Sequence, residues 1–400
     1  MLSLGVLSAA TLGAQDVSKW TSFTLAGKPV QFHGFVSQGF AYSNDNNYLT
    51  MSTDKGSFAM TDAGLNVSTQ LTDKFRVGAQ AYVRRLGDLS KGELTLDWAA
   101  ADYRFKSWFG VRGGKVKTAF GLYNDNQDMD FLHTFAILPS AIYPMDLRSS
   151  TIAHVGGDLY GDIPVKKLGT FSYTAFGGIR PYDPSDGFLY FLNGIGLGVN
   201  SYSGPMMGAD LRWATPAKGL LAGASWLSQH PQGTGPNHAS EESKKNQISQ
   251  FYVQYTLGNL RIDGEYRRDF RTQLVGGTMA MPGAPAAASI TAIGWDNRGW
   301  YTAAAYRLSK RVEMGAYCSW FIPSWQKSWD TNDNHLYDRV ATVRFDLTRN
   351  WNFKVEEHFM DGYGAVDSAR GFYNAPGTPA GPGSFQPKTN LLVVRTGWNF

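Results

Sequence analysis

The feature that most constrains the fold of this chain is a strict two-residue alternation of apolar and polar side chains, which residues 391–400 display most clearly. One face of this segment is mostly apolar and carries Leu392, Val394, Thr396, Trp398 and Phe400. The other face carries Arg395, Gly397 and Asn399. Because successive side chains of a β-strand point to opposite faces, the pattern predicts a strand between an apolar and a polar environment.

The same alternation recurs along the whole chain, in segments such as 75–86, 93–105, 260–270 and 293–308. About 16 segments of this kind follow residue 31, joined alternately by short turns and long polar loops, one of them at 272–292, with no helical segment between them. No run of roughly 18 apolar residues exists, which argues against a helical membrane protein. The pattern predicts an all-β fold, a transmembrane antiparallel β-barrel with short periplasmic turns and long extracellular loops.

Composition is consistent with a barrel and excludes some functions. Aromatic residues make up 14 % of the chain, while the mean hydropathy is only −0.28. A barrel combines these values because only alternate residues face lipid. The net charge of +4 is small and the basic residues are spread along the chain, so nucleic-acid binding is not expected. The single cysteine, Cys318, cannot form an internal disulfide.

Three segments organise the chain. Residues 1–14 are apolar and end in small side chains, which is typical of the remnant of an export signal, although a disordered tail is the alternative. Residues 15–30 are expected to form a periplasmic N-terminal segment. Residues 31–400 are expected to form the barrel. Export to the outer membrane of a bacterium follows if the first segment is a signal.

Parity along each predicted strand identifies the side chains that would face the lumen. The predicted pore-lining residues carry both signs, with arginine in excess: Arg76, Arg84, Arg212, Arg261, Glu265, Arg267, Arg344, Asp346, Lys354, Glu356 and Arg395. Fixed cations in a narrow passage concentrate anions, so a weak anion preference is expected. The alternative is that neighbouring acids neutralise these cations and the wall is merely wet.

The long connection at about 120–150 is expected to be a constriction loop. Its middle is apolar, and a long apolar loop is more readily buried inside the barrel than exposed to water. Packing over the rim is the alternative. Its charged residues are candidates for narrowing the pore: Asp125, Asp128, Asp130 and Arg148. The same acids could offer oxygen ligands to calcium, but the glycine and closing glutamate of an EF-hand loop are missing, so no metal site is predicted.

Tryptophans recur near the predicted strand ends, and they are expected to form aromatic girdles at the membrane surfaces. They are Trp98, Trp108, Trp213, Trp226, Trp300, Trp351 and Trp398. A sugar-stacking track inside the pore would use the same residue type, but Trp398 shares a face with Phe400, which favours girdles.

Residues 108–121, WFGVRGGKVKTAFG, resemble the bacterial outer-membrane porins related to the phosphate-selective group, which usually have Pro where this chain has Ala119. The last strand, with Trp398 and Phe400, is similar to the signal that such proteins present to the barrel-assembly machinery. The resemblance implies a 16-stranded passive channel, a homotrimer, with an inward third loop. It assigns phosphate selectivity to no residue, because the necessary basic residues cannot be matched one by one.

The expected function is passive diffusion of small hydrophilic solutes or anions, with phosphate-like anions as the finer possibility and no cofactor. A barrel enzyme, such as a lipid hydrolase, is the first alternative, but the seven histidines are scattered and no Gly-x-Ser-x-Gly motif accompanies them. A structural or adhesin barrel is the second, but sixteen strands enclose a lumen that is hard to fill with side chains.

Overall fold

The computed structural model describes residues 22–194, 198–235, 240–279, 287–364 and 385–400. Within these ranges the chain forms a closed antiparallel β-barrel of sixteen strands, which confirms the predicted fold class. The strands are β1 Lys28–Ser43, β2 Ser57–Thr72, β3 Phe75–Leu86, β4 Ser90–Lys106, β5 Phe109–Lys117, β6 Ala153–Val165, β7 Gly169–Arg180, β8 Ser201–Ala214, β9 Leu220–Gln229, β10 Ser240–Leu257, β11 Leu260–Met279, β12 Ala287–Arg307, β13 Val312–Ile322, β14 Leu336–Asp346, β15 Trp351–Asp361 and β16 Lys388–Asn399.

The barrel closes where β16 pairs with β1. The register runs from Leu391 opposite Ser43 to Asn399 opposite Phe35. Beyond it, the backbones of Phe400 and Gly34 exchange two hydrogen bonds of 3.0 and 3.2 Å. Closure leaves neither of these two strands with an unpaired edge at the seam, which a lipid environment would penalise.

The two faces of the wall differ as the alternation predicts. On β6 and β8 the outward side chains of Leu159 and Leu211 are 50 % and 49 % exposed, whereas their inward neighbours Asp158 and Asp210 are buried. Lys354 on β15 is also buried inside. The barrel therefore has an apolar exterior and a charged interior.

Several connections differ from the sequence-based prediction. The loop expected between 86 and 93 shortens to three residues because β4 begins at Ser90. The loop expected at 272–292 is largely strand, since β11 and β12 extend to Met279 and Ala287. An α-helix, Gly187–Gly194, stands in a connection predicted to lack one. Two short strands, Ser22–Leu25 and Gln232–Thr234, complete the sheet.

In the part of the chain that the structure describes, three short 3-10 turns lie in the connections, at Thr53–Lys55, Asp130–Leu132 and Met145–Ser150. Among the described residues, no helix has the length and apolar character needed to cross a membrane. The predicted signal segment 1–14 lies outside the described residues, and so does the start of the predicted segment 15–30. The rest of that segment pairs as a hairpin, with Ser22 opposite Gln31.

The predicted aromatic girdle is wrong for Trp98. The register between β3 and β4 shifts between Gln80 and Ala81, so Trp98 faces Gln80 while Leu96 faces Ala81. This bulge turns both Asp97 and Trp98 inward, where the Trp98 ring lies beside Gly78. Other rings do lie on the exterior: Trp351 and Trp398 are 47 % and 45 % exposed.

Candidate functional site

The connection between β5 and β6, residues 118–152, folds into the barrel and is called the inward loop here. Its segment 133–137 is buried throughout. Arg395 on β16 donates to the Ala136 carbonyl at 2.8 Å, while Arg212 on β8 donates to the Gly121 carbonyl at 2.7 Å. Because β8 and β16 lie eight strands apart in a ring of sixteen, these contacts are on opposite walls. The inward loop therefore spans the lumen.

Wall cations hold the backbone of the inward loop. Arg344 donates to the His133 carbonyl at 2.7 Å, and Arg267 donates to the Ile142 carbonyl at 3.0 Å. Arg84 donates to the Met145 carbonyl at 2.6 Å. Charged donors make hydrogen bonds that are stronger than neutral ones. Several cations predicted to face solute thus contact the loop instead.

Two wall carboxylates receive N–H and O–H groups of the same loop. Glu356 accepts hydrogen bonds from the backbone N–H groups of Ala136 and Ile137, both at 2.8 Å. Glu265 accepts from the Leu122 N–H at 3.1 Å and from the Tyr143 hydroxyl at 2.6 Å. The loop is therefore fixed through its peptide groups from both sides of the lumen.

Inside the inward loop, Asp128 and Arg148 form a bidentate ion pair with two N···O distances of 2.5 Å. Lys117 lies 2.9 Å from Asp128, and Arg148 also reaches Asp97 of the wall at 2.7 Å. Burial alone would raise the pKa of Asp128, but Arg148 and Lys117 outweigh it and hold that pKa well below its usual range. The pair closes the loop upon itself and attaches it to β4.

Asp130 at the tip of the inward loop lies against β15 and β16. One carboxylate oxygen is 2.8 Å from Lys354 Nζ and 3.3 Å from Arg395 Nε. The Lys354 ammonium also donates to the carbonyls of Asp130 and Phe135 at 2.7 and 3.1 Å. Burial alone would raise the pKa of Asp130, but these two cations lower it. Asp130 therefore remains an anion inside the barrel.

A cationic row crosses the inner wall at this level. Register pairing places Arg307, Glu313, Arg344, Lys354 and Arg395 side by side on five neighbouring strands. Like charges directly opposite each other repel. Asp346 compensates two of them, since it contacts Arg307 and lies 2.8 Å from Arg344. At the other end of the row, the loop supplies the compensating charge through Asp130.

Apolar packing covers the loop on the side where the long connections meet. Ala136 and Ile137 pack in one cluster with Tyr48 and Leu49 of the connection after β1 and with Phe321 of β13. A second cluster joins Leu147 of the inward loop to three residues of the helix and to the wall: Phe188, Leu189, Leu192, Tyr202 and Val275. The loop is thus held by apolar burial as well as by hydrogen bonds.

The predicted pore-lining residues all face inward, but they fall into two groups. Those in contact with the inward loop are Arg84, Arg212, Arg261, Glu265, Arg267, Arg344, Lys354, Glu356 and Arg395. Arg76 instead donates to the Ser68 hydroxyl at 2.9 Å, and Asp346 pairs within the wall. Of the predicted loop residues, Asp125 forms no ion pair within the described ranges, whereas Asp128, Asp130 and Arg148 do.

Sequence reasoning missed Asp62, Asp97, Lys117 and Glu313. Asp62 pairs with Arg395 at 2.6 Å and Glu313 accepts from the Thr134 hydroxyl. Parity on β2 and β13 could have found Asp62 and Glu313. Asp97 is turned inward by the bulge, and Lys117 lies at the last position of β5, so alternation gave no signal for either residue.

Among the described residues, His154 has a hydroxyl and a carboxylate as neighbours, as the histidine of a hydrolytic triad does. His154 lies 3.0 Å from the Thr118 hydroxyl and 2.9 Å from Asp158. All three side chains are buried, with Thr118 and His154 at 0 % exposure. A substrate could not reach this hydroxyl, so the arrangement is structural in this conformation. Within the described ranges, no cluster of three or more potential ligand residues is placed to hold a metal ion.

Comparison with known proteins gives a fold and no sequence family. No family model matches the chain, and no curated protein matches it. The outer-membrane OmpT of Vibrio cholerae is 11 % identical, with 95 % of this chain and 100 % of that chain covered and a TM-score of 0.57. An anion-selective porin from Comamonas acidovorans is 10 % identical, with 93 % and 100 % covered and a TM-score of 0.59.

The outer-membrane channel DcaP of Acinetobacter baumannii is similar to the same degree. It is 11 % identical, with 94 % of this chain and 99 % of that chain covered and a TM-score of 0.53. These likenesses span nearly the whole of each chain. They show that the chain has the fold of outer-membrane β-barrels.

Proposed function

We propose that this protein is an outer-membrane porin through which small hydrophilic solutes diffuse passively, with a weak preference for anions. The observation that carries the proposal is that, in this closed sixteen-stranded barrel, apolar side chains point outward and charged side chains point inward. A water-soluble protein has the opposite arrangement. Outward Leu159 and Leu211 are about half exposed, while Asp158, Asp210 and Lys354 are buried inside. A barrel of this size encloses an aqueous lumen rather than a packed core.

The anion preference is supported by the cationic row. Arg307, Arg344, Lys354 and Arg395 place four positive charges on adjacent or near-adjacent inward positions, with Glu313 as the one acid in the row. Fixed charges of this kind raise the local concentration of anions wherever a neighbouring acid does not neutralise them, as at Lys354 and Arg395 when Asp130 is displaced. Phosphate-like anions belong to the same class, and the fold neighbour from Comamonas acidovorans is described as anion-selective.

Location and assembly follow from the same proposal. The apolar exterior fits the hydrocarbon region of an outer membrane, and the exposed rings of Trp351 and Trp398 fit its interface. Trp398 and Phe400, whose rings lie 5.1 Å apart, would present the signal to the barrel-assembly machinery. A homotrimer is part of the proposal by resemblance.

The proposed channel performs no turnover, in contrast to the alternative of a barrel hydrolase. The Thr118 hydroxyl, which is the best-placed candidate nucleophile beside a histidine, is fully buried. The inward loop joins opposite walls of the lumen and narrows the passage, so its displacement from the packed position would widen the channel.

Planar-bilayer recording tests the proposal. Purified folded protein is expected to produce step-like conductance, and a salt gradient is expected to give a reversal potential of the sign set by more permeant anions. Folded protein that produces no steps would contradict the channel, and a reversal potential of the opposite sign would contradict the anion preference alone.

A further inference from the structure

Lys354 and Arg395 form a cation pair on the inner wall that is compensated in an unusual way. Lys354 is 0 % exposed, and its one carboxylate partner within the described ranges is Asp130 of the inward loop. Arg395 has a wall partner, Asp62, at 2.6 Å, as well as Asp130. A buried ammonium that loses its carboxylate is strongly destabilised. An anion is therefore required at this point whenever water is excluded.

The bond between Asp130 and this pair is incomplete. Asp130 is buried, with only 3 % of its surface exposed. Nevertheless one of its carboxylate oxygens, Oδ2, has no hydrogen-bond partner among the described residues. Arg395 Nε is likewise buried and makes no well-aligned hydrogen bond, although it lies 3.3 Å from Asp130 Oδ1, the oxygen that Lys354 also contacts. An unpaired buried donor and an unpaired buried acceptor each destabilise the packed state. The site thus holds a carboxylate that contacts both cations through one oxygen, Oδ1, and leaves Oδ2 without a donor among the described residues.

We propose that Lys354 and Arg395 form a binding site for a small monocarboxylate solute, and that Asp130 occupies this site as a tethered competitor while the inward loop is packed. This inference rests on the proposed channel function and names its solute class. A free carboxylate can place one oxygen on Lys354 Nζ and the other on Arg395 Nε, which Asp130 does not do. Its binding displaces Asp130 and releases the tip of the loop.

Competition for one site couples solute binding to opening. A ligand shifts an equilibrium only by its difference in affinity between two states. The packed state offers this site to Asp130 alone, and the released state offers it to solute. Carboxylate in solution therefore stabilises the released loop. It offers one acceptor oxygen to each cation, whereas chloride offers a single acceptor atom to both.

The test uses wild-type protein in planar bilayers, with chloride replaced by formate at constant ionic strength. We expect single-channel conductance to rise with formate and to saturate. Asp130→Asn is expected to conduct in chloride above the wild-type level and to show loss of the formate-dependent rise. Asp88→Asn, which removes an exposed carboxylate from the β3–β4 turn, is the matched control and is expected to respond as wild type.

Gly397→Ala is a second variant that preserves every charge. A Cβ at position 397 would lie 2.7 Å from Asp130 Oδ2, so it presses Asp130 away from the site. In Gly397→Ala we expect the single-channel conductance to rise at a lower formate concentration than in wild type.

The outcomes separate the two proposals. Conductance without a formate-dependent rise in wild type, or an unchanged rise in Asp130→Asn, overturns the carboxylate site and leaves the channel. A rise with inorganic phosphate and none with formate overturns the carboxylate class. An absence of conductance in every salt overturns the channel itself.

Discussion

Glu356 and Glu357 are consecutive carboxylates of β15 with opposite surroundings. Glu356 is fully buried and accepts the N–H groups of Ala136 and Ile137, whereas Glu357 lies outside between Ala341 and Leu392. Glu356→Gln replaces one acceptor oxygen with an amide that faces an N–H group. The free energy that stabilises the packed position of the loop is expected to fall by about 1–3 kcal/mol, because a buried donor is left unpaired.

The measurement is amide hydrogen exchange at Ala136 and Ile137 together with single-channel conductance, both of which should rise in Glu356→Gln. Glu357→Gln is the matched control and should change neither. Equal behaviour of the two variants would mean that Glu356 does not hold the loop. Parity predicted that Glu356 and Lys354 face inward, but it could not predict their partners, because alternation does not fix the path of a loop.

At the scale of the strand, β7 offers neighbouring residues on the two faces. Ala175 lies outside between Leu159 and Ala209, and Thr174 lies inside between Tyr160 and Asp210. Ala175→Arg is expected to lower the free energy of unfolding by about 2–4 kcal/mol, because it puts a cation on the lipid face. Thr174→Arg faces Asp210, and its effect should stay within about 1 kcal/mol.

Urea unfolding in lipid vesicles measures both changes. A larger loss for Thr174→Arg than for Ala175→Arg would contradict the assignment of the two faces. Alternation alone was sufficient to predict the strands of the barrel and the orientation of most of their side chains. It failed at Trp98, where a bulge turns two successive residues inward. It also failed at Gly187–Gly194, because eight residues with a continuous apolar run show no helical period.

In the whole molecule, the inward loop is the element that we propose controls passage. The sequence indicated this loop through its length and apolar middle. Its anchoring could not be predicted, because many of the contacts join residues between 61 and 259 positions apart, such as Arg84 with Met145 and Arg395 with Ala136. The closed barrel brings these walls together around the loop, and only that closure turns separate strand patterns into one site.

A reversible disulfide between the loop and the wall tests this claim most directly. A Cβ built at Gly315 of β13 lies 3.1 Å from Thr134 Cγ2, a separation compatible with a disulfide between Thr134→Cys and Gly315→Cys. Cys318→Ser removes the native thiol. Conductance in formate is then recorded before and after reduction of the same channels. We expect oxidised channels to stay at low conductance and reduction to restore the formate-dependent rise. The same conductance in both redox states would show that the inward loop does not control passage.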